Sequence, residues 1–265
     1  SLTDPAKTIA RIADAEIVLT NKTPLPRAVF EACPNIKMVG VLATGYNVVD
    51  IACARERGIP VCNVPAYGTA SVSQYAIALL LEACHHIGHH SDAVHAGRWA
   101  SCPDWCFWDY PLIELEHKTI GIIGFGRIGQ RVGELGRAFK MNIVAYDPYL
   151  PAHVFEEQQA TSMSIDEVLK TSDYVTIHMP LTPETKNLFN AKSISEMKPD
   201  AVVLNMARGG IVNEKDMYEA LKAGKIGGYA SDVMENELAA GGLTEGATFD
   251  SPLFECDNFI VTPHL

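Results

Sequence analysis

Three residues late in the chain, Arg208, Glu237 and His264, are of the types that move a proton beside a bound carboxylate. A guanidinium can hold a carboxylate through two parallel hydrogen bonds, an imidazole exchanges a proton near neutral pH, and a carboxylate can orient that imidazole. Each follows a run that reads as a buried strand. Arg208 comes after "AVVLNMA" and before Gly209-Gly210, Glu237 lies past "GYASDV", and His264 follows "NFIVT" and Pro263. Ligands of open α/β sheets bind at such strand ends. Singly, each residue has an ordinary reading, as a surface salt bridge, a solvated acid or a capped histidine. A second constellation is "EACHHIGHH" (82–90), with His85, His86, His89 and His90, and His95 soon after. The helical pairs His85/His89 and His86/His90 could bind zinc or nickel. Gly88 is expected to interrupt the helix, no acidic or cysteine ligand has matching spacing, and a satisfied histidine cluster with no metal is the expectation.

The most informative local motif is "TIGIIGFGRIGQRVGELGRAF" (119–139). A hydrophobic strand runs into Gly124-Phe-Gly126-Arg-Ile-Gly129 and then into a helix with Ile128, Val132, Leu135 and Phe139 on one face. Gly124 permits a tight turn, Gly126 lets backbone approach a pyrophosphate, and Gly129 allows close helix–strand packing. Asp147 ends the next strand, 18 residues after Gly129. A carboxylate there accepts hydrogen bonds from a ribose diol and repels a 2′-phosphate, which favours NAD over NADP.

These residues need a scaffold, and the chain supplies the pattern of one. It has 265 residues, is 48% hydrophobic and carries a formal charge of −11. That balance argues against nucleic acid as a partner, which would call for a basic face. No run of eighteen apolar residues would span a bilayer and no signal peptide opens the sequence, so a cytoplasmic protein without a membrane partner is expected. Seven cysteines, none in a C-x-x-C pair, read as thiols of a reducing compartment.

Strand-like runs at 15–21, 36–43 and 59–65 alternate with helical stretches near 5–13, 24–33 and 48–58. A second block holds six such runs, at 119–126, 142–147, 174–180, 201–207, 228–233 and 258–264. Ser164 has capping-box spacing to Glu167, and Asn213 can cap a helix that stops at Gly224. The expected class is α/β: two Rossmann- or flavodoxin-like domains with doubly wound parallel sheets, over 1–67 and 68–265, the second including an interdomain helix at 71–86.

The ordered set Gly124-x-Gly126-x-x-Gly129, "HMPLTPETKNLF" (178–189), "NMARGGIVNEKDMYEAL" (205–221), "SDVMENE" (231–237) and "TPH" (262–264) resembles the D-isomer-specific 2-hydroxyacid dehydrogenases. The likeness runs through essentially the whole chain. Within the family, "CHHIGHHSDAVHAGRW" followed by "PDWCFWDYPLIEL" is similar to the glycerate dehydrogenase (hydroxypyruvate reductase) branch. The resemblance implies an NAD-dependent oxidoreductase interconverting a small 2-keto acid and a D-2-hydroxy acid. Arg208 would bind the substrate carboxylate and keto oxygen, His264 would be the acid/base, and Glu237 its partner. Gly124, Gly126, Arg127, Ile128, Gly129, Asp147, His178, Pro180, Ala207 and Asp232 would bind the cofactor, with Asp232 on the nicotinamide carboxamide. The loop Ala43, Thr44, Gly45 and Tyr46 would hold the carboxylate through backbone N–H groups.

The chain departs from the pattern at Leu238, where the family usually has proline. A first strand would be expected before Ser1 and further helices after Leu265, so the substrate domain reads as incomplete. The loop "LATGYN" offers no cationic clamp for a phosphorylated substrate, which favours hydroxypyruvate/D-glycerate or, as the alternative, pyruvate/D-lactate. A non-catalytic NAD-sensing module on the same fold is the other alternative. The segment with Trp105, Phe107, Trp108 and Tyr110 is dense in interface side chains, and a homodimer is expected.

Overall fold

The computed structural model describes residues 5–235, 237 and 250–265, and the chain divides after Thr69 into two compact units. The first runs α1 (Pro5–Ile12), β1 (Ile17–Thr20), α2 (Arg27–Ala32), β2 (Met38–Val41), α3 (Ile51–Glu56) and β3 (Val61–Cys62). Its strands form a parallel sheet in the order β1-β2-β3. Val18, Val39 and Val41 join Leu25, Val29 and Phe30 in one apolar core. Asp50 starts α3 by accepting a hydrogen bond from the Cys53 N–H at 2.9 Å, which satisfies one of the donors a helix start leaves open.

The second unit opens with the long helix α4 (Thr69–His85) and α5 (Ile87–His95). It continues through β4 (Thr119–Ile123), α6 (Arg127–Ala138), β5 (Asn142–Tyr146), α7 (Ala152–Glu157), β6 (Thr161–Ser162), α8 (Ile165–Thr171), β7 (Tyr174–Ile177), α9 (Ala191–Ser195), β8 (Val202–Asn205), α10 (Glu214–Lys222), β9 (Gly228–Ser231) and β10 (Phe259–Val261). All seven strands are parallel, in the order β10-β9-β8-β7-β4-β5-β6. A parallel sheet covered on both faces needs near-continuous apolar strands, and Tyr174–Ile177 is buried at every position. Ile120, Ile122 and Ile123 of β4 are also fully buried, each contributing roughly 1.5–3 kcal/mol relative to exposure. The order of connection reverses between β4 and β7. In open α/β sheets, ligands bind outside the C-terminal ends of the strands at such a reversal.

Ser164 and Glu167 form the expected capping box, and Asn213 accepts from Asp216 N–H to start α10. Three features differ from the sequence expectation. The sheet has seven strands rather than six, because the exposed pair Thr161–Ser162 adds an edge to β5. Helix α6 buries Gly129, Val132, Gly133 and Gly136, while Phe139 is exposed. Glycines let the helix close onto the sheet: an added methyl at Gly129 would lie 2.3 Å from the Gly124 carbonyl oxygen. Finally, Gly88 does not interrupt a helix but lies inside α5. The break falls at His86, whose φ is +47°, and the Glu82 carboxylate accepts from the N–H groups of Ile87 and Gly88 at 3.1 and 3.2 Å, capping the new helix. Among the described residues no helix is long and apolar enough to cross a membrane.

Candidate functional site

The glycine turn follows β4, beside the point where the strand order reverses. Gly124 has φ +93°, a conformation open to glycine and strained for residues with a Cβ. A methyl group there would meet the His178 carbonyl carbon and oxygen at 2.7 Å, so the turn rests directly on the backbone leaving β7. Gly126 begins α6 without a side-chain cap, and the space around it is open. The first-turn N–H groups of Arg127, Ile128 and Gly129 have no intrahelical acceptor, the arrangement that binds phosphate. Asp147, just past β5, accepts from Phe125 N–H through Oδ2 at 2.9 Å and from Tyr149 N–H through Oδ1 at 3.0 Å. These bonds hold its carboxylate beside the glycine turn. An uncapped helix end in open space, flanked by a fixed acid, fits a dinucleotide's pyrophosphate and ribose. The family position Asp147 therefore also braces the loop that would receive the phosphates.

The remaining expected cofactor residues ring the same strand ends. His178 follows β7, with Nε2 2.8 Å from Thr176 Oγ1. Its Nδ1 is buried and without a hydrogen-bond partner. Burial pushes the imidazole down to about 3, so it is neutral near pH 7. Pro180 is exposed, and its carbonyl accepts from Thr185 Oγ1 at 2.8 Å. Ala207 is buried beside the turn that carries Arg208.

That turn is built by Asn205, the buried last residue of β8. Its Oδ1 accepts from Ala207 N–H at 3.1 Å and its Nδ2 donates to the Arg208 carbonyl at 2.9 Å. The Arg208 guanidinium donates to the Ala207 carbonyl at 2.7 Å. One donor of the planar fork is thus spent on placing it, and the others can take an anion.

His264 lies beyond β10 with φ +57°, in the left-handed region that histidine enters more readily than most side chains. One oxygen of the buried Asp232 holds both of its flanks. Thr262 Oγ1 donates to Asp232 Oδ1 at 2.6 Å, and Leu265 N–H donates to the same atom at 3.1 Å. The imidazole Nδ1 is 2.9 Å from Glu237 Oε1, and Glu237 Oε2 accepts from Met234 N–H at 3.2 Å. With the side chain 34% exposed and Nδ1 engaged, Nε2 is the atom from which a ligand could take a proton.

The structure thus brings Glu237 and His264 into contact and sets Arg208 on the neighbouring strand end. Gly209 joins the two sides, since a methyl group on it would lie 2.1 Å from the Met234 carbonyl carbon and 2.4 Å from Glu235 N. The supporting roles of Asn205, Gly209 and Thr262 escape a reading by spacing, because their partners are set by the turn geometry and by residues far along the chain. Leu238 lies outside the described residues.

In the first unit, the loop Ala43–Tyr46 follows β2. Val64 N–H donates to the Ala43 carbonyl at 3.1 Å, Asn63 Nδ2 to the Thr44 carbonyl at 2.8 Å, and Thr44 Oγ1 to the Val64 carbonyl at 3.1 Å. These bonds tie the loop down by its carbonyls and hydroxyl. The N–H groups of Thr44, Gly45 and Tyr46 donate to no acceptor among the described residues, so they can take a carboxylate.

The histidines of 85–90 make ring and hydrogen-bond contacts with the segment that follows α5, and among the described residues no group of three His, Cys, Asp or Glu side chains is placed to hold a metal ion. Arg98 grips Asp109 and holds its carboxyl well below the usual carboxylate range. His89 Nε2 meets the same carboxylate at 2.6 Å. His90 Nδ1 donates to the His86 carbonyl at 2.8 Å, and its Nε2 accepts from Asp109 N–H at 3.2 Å. The His86 ring stacks on Tyr110 with centroids 3.9 Å apart. The cluster is a clasp that fastens the aromatic segment around Phe107–Tyr110 to α5.

The model of the "D-isomer specific 2-hydroxyacid dehydrogenase, NAD binding domain" matches residues 77–265. A hydroxypyruvate reductase of Blautia hydrogenotrophica is 53% identical over 266 residues, covering 100% of this chain and 80% of that protein. A glycerate dehydrogenase of Methylorubrum extorquens is 34% identical, with 98% of this chain and 79% of that protein covered. Among solved structures, the D-lactate dehydrogenase of Aquifex aeolicus complexed with NAD and lactic acid gives a TM-score of 0.83 at 31% identity, covering 97% of this chain and 78% of that one. With its glycine turn, acid and strand-end residues arranged as described, the chain belongs to the NAD-binding D-isomer-specific 2-hydroxyacid dehydrogenases.

Proposed function

We propose that this protein interconverts hydroxypyruvate and D-glycerate with NAD(H). The observation that carries the reading is the Glu237–His264 contact at 2.9 Å on the strand ends beside Arg208. The identity to a hydroxypyruvate reductase supports the choice of substrate. Gly124, Gly126, Arg127, Ile128 and Gly129 would hold the pyrophosphate, Asp147 the adenosine ribose, and His178, Pro180, Ala207 and Asp232 the nicotinamide end. Asp232 Oδ2 has no partner among the described residues and suits an amide donor. The chemistry that NADH supplies when bound is hydride donation to the carbonyl carbon. His264 Nε2 delivers a proton to the carbonyl oxygen, and Glu237 stays on Nδ1 to keep the ring oriented. Arg208 binds the carboxylate and stabilises negative charge as it grows on that oxygen.

The test is a panel of hydroxypyruvate, glyoxylate and pyruvate assayed with NADH and NADPH. Hydroxypyruvate is expected to lead in kcat/KM by roughly 10-fold or more, the size of discrimination a small side-group pocket gives. A lead for pyruvate would make the protein a D-lactate dehydrogenase. Tight NADH binding with no turnover of any keto acid would make it an NAD sensor.

Asp147 should set the cofactor preference. Asp147→Asn removes the charge at nearly the same shape and keeps an acceptor oxygen for one of the two N–H groups, those of Phe125 and Tyr149, that the carboxylate serves. The ratio of kcat/KM for NADPH to that for NADH is expected to rise roughly 10-fold to 100-fold, because a like charge facing a 2′-phosphate is costly. An unchanged ratio would take the ribose role away from Asp147.

We also propose a homodimer formed through the aromatic segment that the histidine clasp holds. Trp105 is 85% exposed and Trp108 65%, and large rings of this kind are enriched in interface cores. Sedimentation at micromolar concentration is expected to give a dimer, and the double variant Trp105→Ser, Trp108→Ser a monomer. A monomeric unmodified protein would sink the assignment. The seven free thiols support a reducing, cytoplasmic setting for the enzyme.

A further inference from the structure

Helix α10 begins directly behind the loop that carries Glu237. Asn213 is pinned by its own N–H to the Phe189 carbonyl at 2.8 Å, and its side chain caps the helix through Asp216 N–H at 3.0 Å. This fixes the first helical residue, Glu214, which is half-buried. Glu214 Oε1 accepts from the Glu235 N–H at 2.5 Å. From Glu235 the path to the chemistry is short. Met234 exchanges two hydrogen bonds with Glu237, Met234 N–H to Glu237 Oε2 at 3.2 Å and Glu237 N–H to the Met234 carbonyl at 3.4 Å. Glu237 then meets His264 at 2.9 Å.

A carboxylate in this place needs an explanation. Burial, together with the nearby carboxylates of Glu235 and Glu237, pushes Glu214 above the usual carboxylate range, so its surroundings disfavour its charge. The site retains an acid all the same. The start of a helix favours a carboxylate, and the loop N–H at Glu235 has no other acceptor among the described residues. An acceptor there fixes the backbone of 234–235, and with it the distance from Glu237 to the imidazole.

We propose that Glu214 is a positioning residue for the Glu237–His264 pair, holding the catalytic loop to the start of α10 through the Glu235 N–H. It touches neither substrate nor cofactor in this scheme. The proposal rests on the reading of Glu237 and His264 given above.

Two variants of similar length separate positioning from simple folding. Glu214→Met fills the half-buried space and suits a helix but offers no oxygen, whereas Glu214→Gln keeps an acceptor for Glu235 N–H. Glu214→Met is expected to lower kcat for hydroxypyruvate reduction at least roughly 10-fold, since small displacements of a catalytic group carry costs of this size. KM for NADH and the thermal midpoint should stay near those of the unaltered protein. Glu214→Gln is expected to restore most of kcat. Wild-type kcat in Glu214→Met overturns the proposal, as does an equal loss in both variants. His264→Gln in the same assay keeps the two readings apart. If it is inactive while Glu214→Met is normal, positioning alone fails; if it turns over normally, the assignment of the pair fails and the positioning role with it.

Discussion

Replacing His264 by asparagine or glutamine is expected to lower kcat/KM for keto-acid reduction roughly 10²–10⁴-fold, the range that a positioned acid or base supplies, with NADH affinity nearly unchanged. Either amide can still hydrogen bond to Glu237, but neither can deliver a proton to the substrate oxygen at neutral pH. Two variants are needed because of the backbone. His264 sits at φ +57°, where asparagine is at ease and glutamine less so. If the loss reflected a disturbed turn, glutamine would lose much more than asparagine. Equal losses place the defect in the chemistry. The flanking bonds from Thr262 and Leu265 to Asp232 should hold the turn in both, so the thermal midpoint is expected to move little. Turnover within about threefold of the unaltered enzyme, well short of that range, would remove His264 from the proton transfer.

Why the sequence announces some of this and hides the rest follows from the range of the interactions. The capping of α8 by Ser164 and of α10 by Asn213 involves residues three apart, so spacing displays it. The glycine turn is legible for the same reason, with its strand, its turn and its helix consecutive. Strand β6 is hidden, because two exposed polar residues carry no apolar signal and pair only through backbone. The buried face of α6 misleads a count of apolar side chains. Its closest approach to the sheet is made by glycines, and the apolar Phe139 lies 39% exposed at its end. The helix break at His86 depends on a side chain, Glu82, reaching forward to Ile87 and Gly88, where composition alone points to the glycine. Asp232 shows the limit most clearly. The resemblance gives it a cofactor role, whereas the structure adds bonds to Thr262 and Leu265, 30 and 33 positions away. No local pattern encodes those.

The same limit makes two adjacent glycines, alike in sequence, sharply unequal in the fold. Gly209→Ala is expected to lower kcat at least roughly 100-fold, the cost of displacing a catalytic group by about 1 Å, and to destabilise the protein by roughly 1–3 kcal/mol, as overpacking does. The added carbon would lie 2.1 Å from the Met234 carbonyl carbon, 2.2 Å from its oxygen and 2.4 Å from Glu235 N. All three are backbone atoms, which cannot swing aside as a side chain does. The turn carrying Arg208 and the loop leading to Glu237 would have to separate, which pulls Glu235 N–H from Glu214 and Glu237 from His264. Both halves of the site are disturbed by one methyl group. At Gly210 the nearest atom to an added carbon is a methyl of Leu181 at 3.3 Å, the end of a flexible and partly exposed side chain. Gly210→Ala should therefore keep kcat and the thermal midpoint near those of the parent. Measured together, the pair distinguishes a close backbone contact from a general need for glycine after Arg208: equal losses would refute the contact as the cause, while a loss confined to Gly209→Ala would show that the two strand ends work only when packed backbone to backbone.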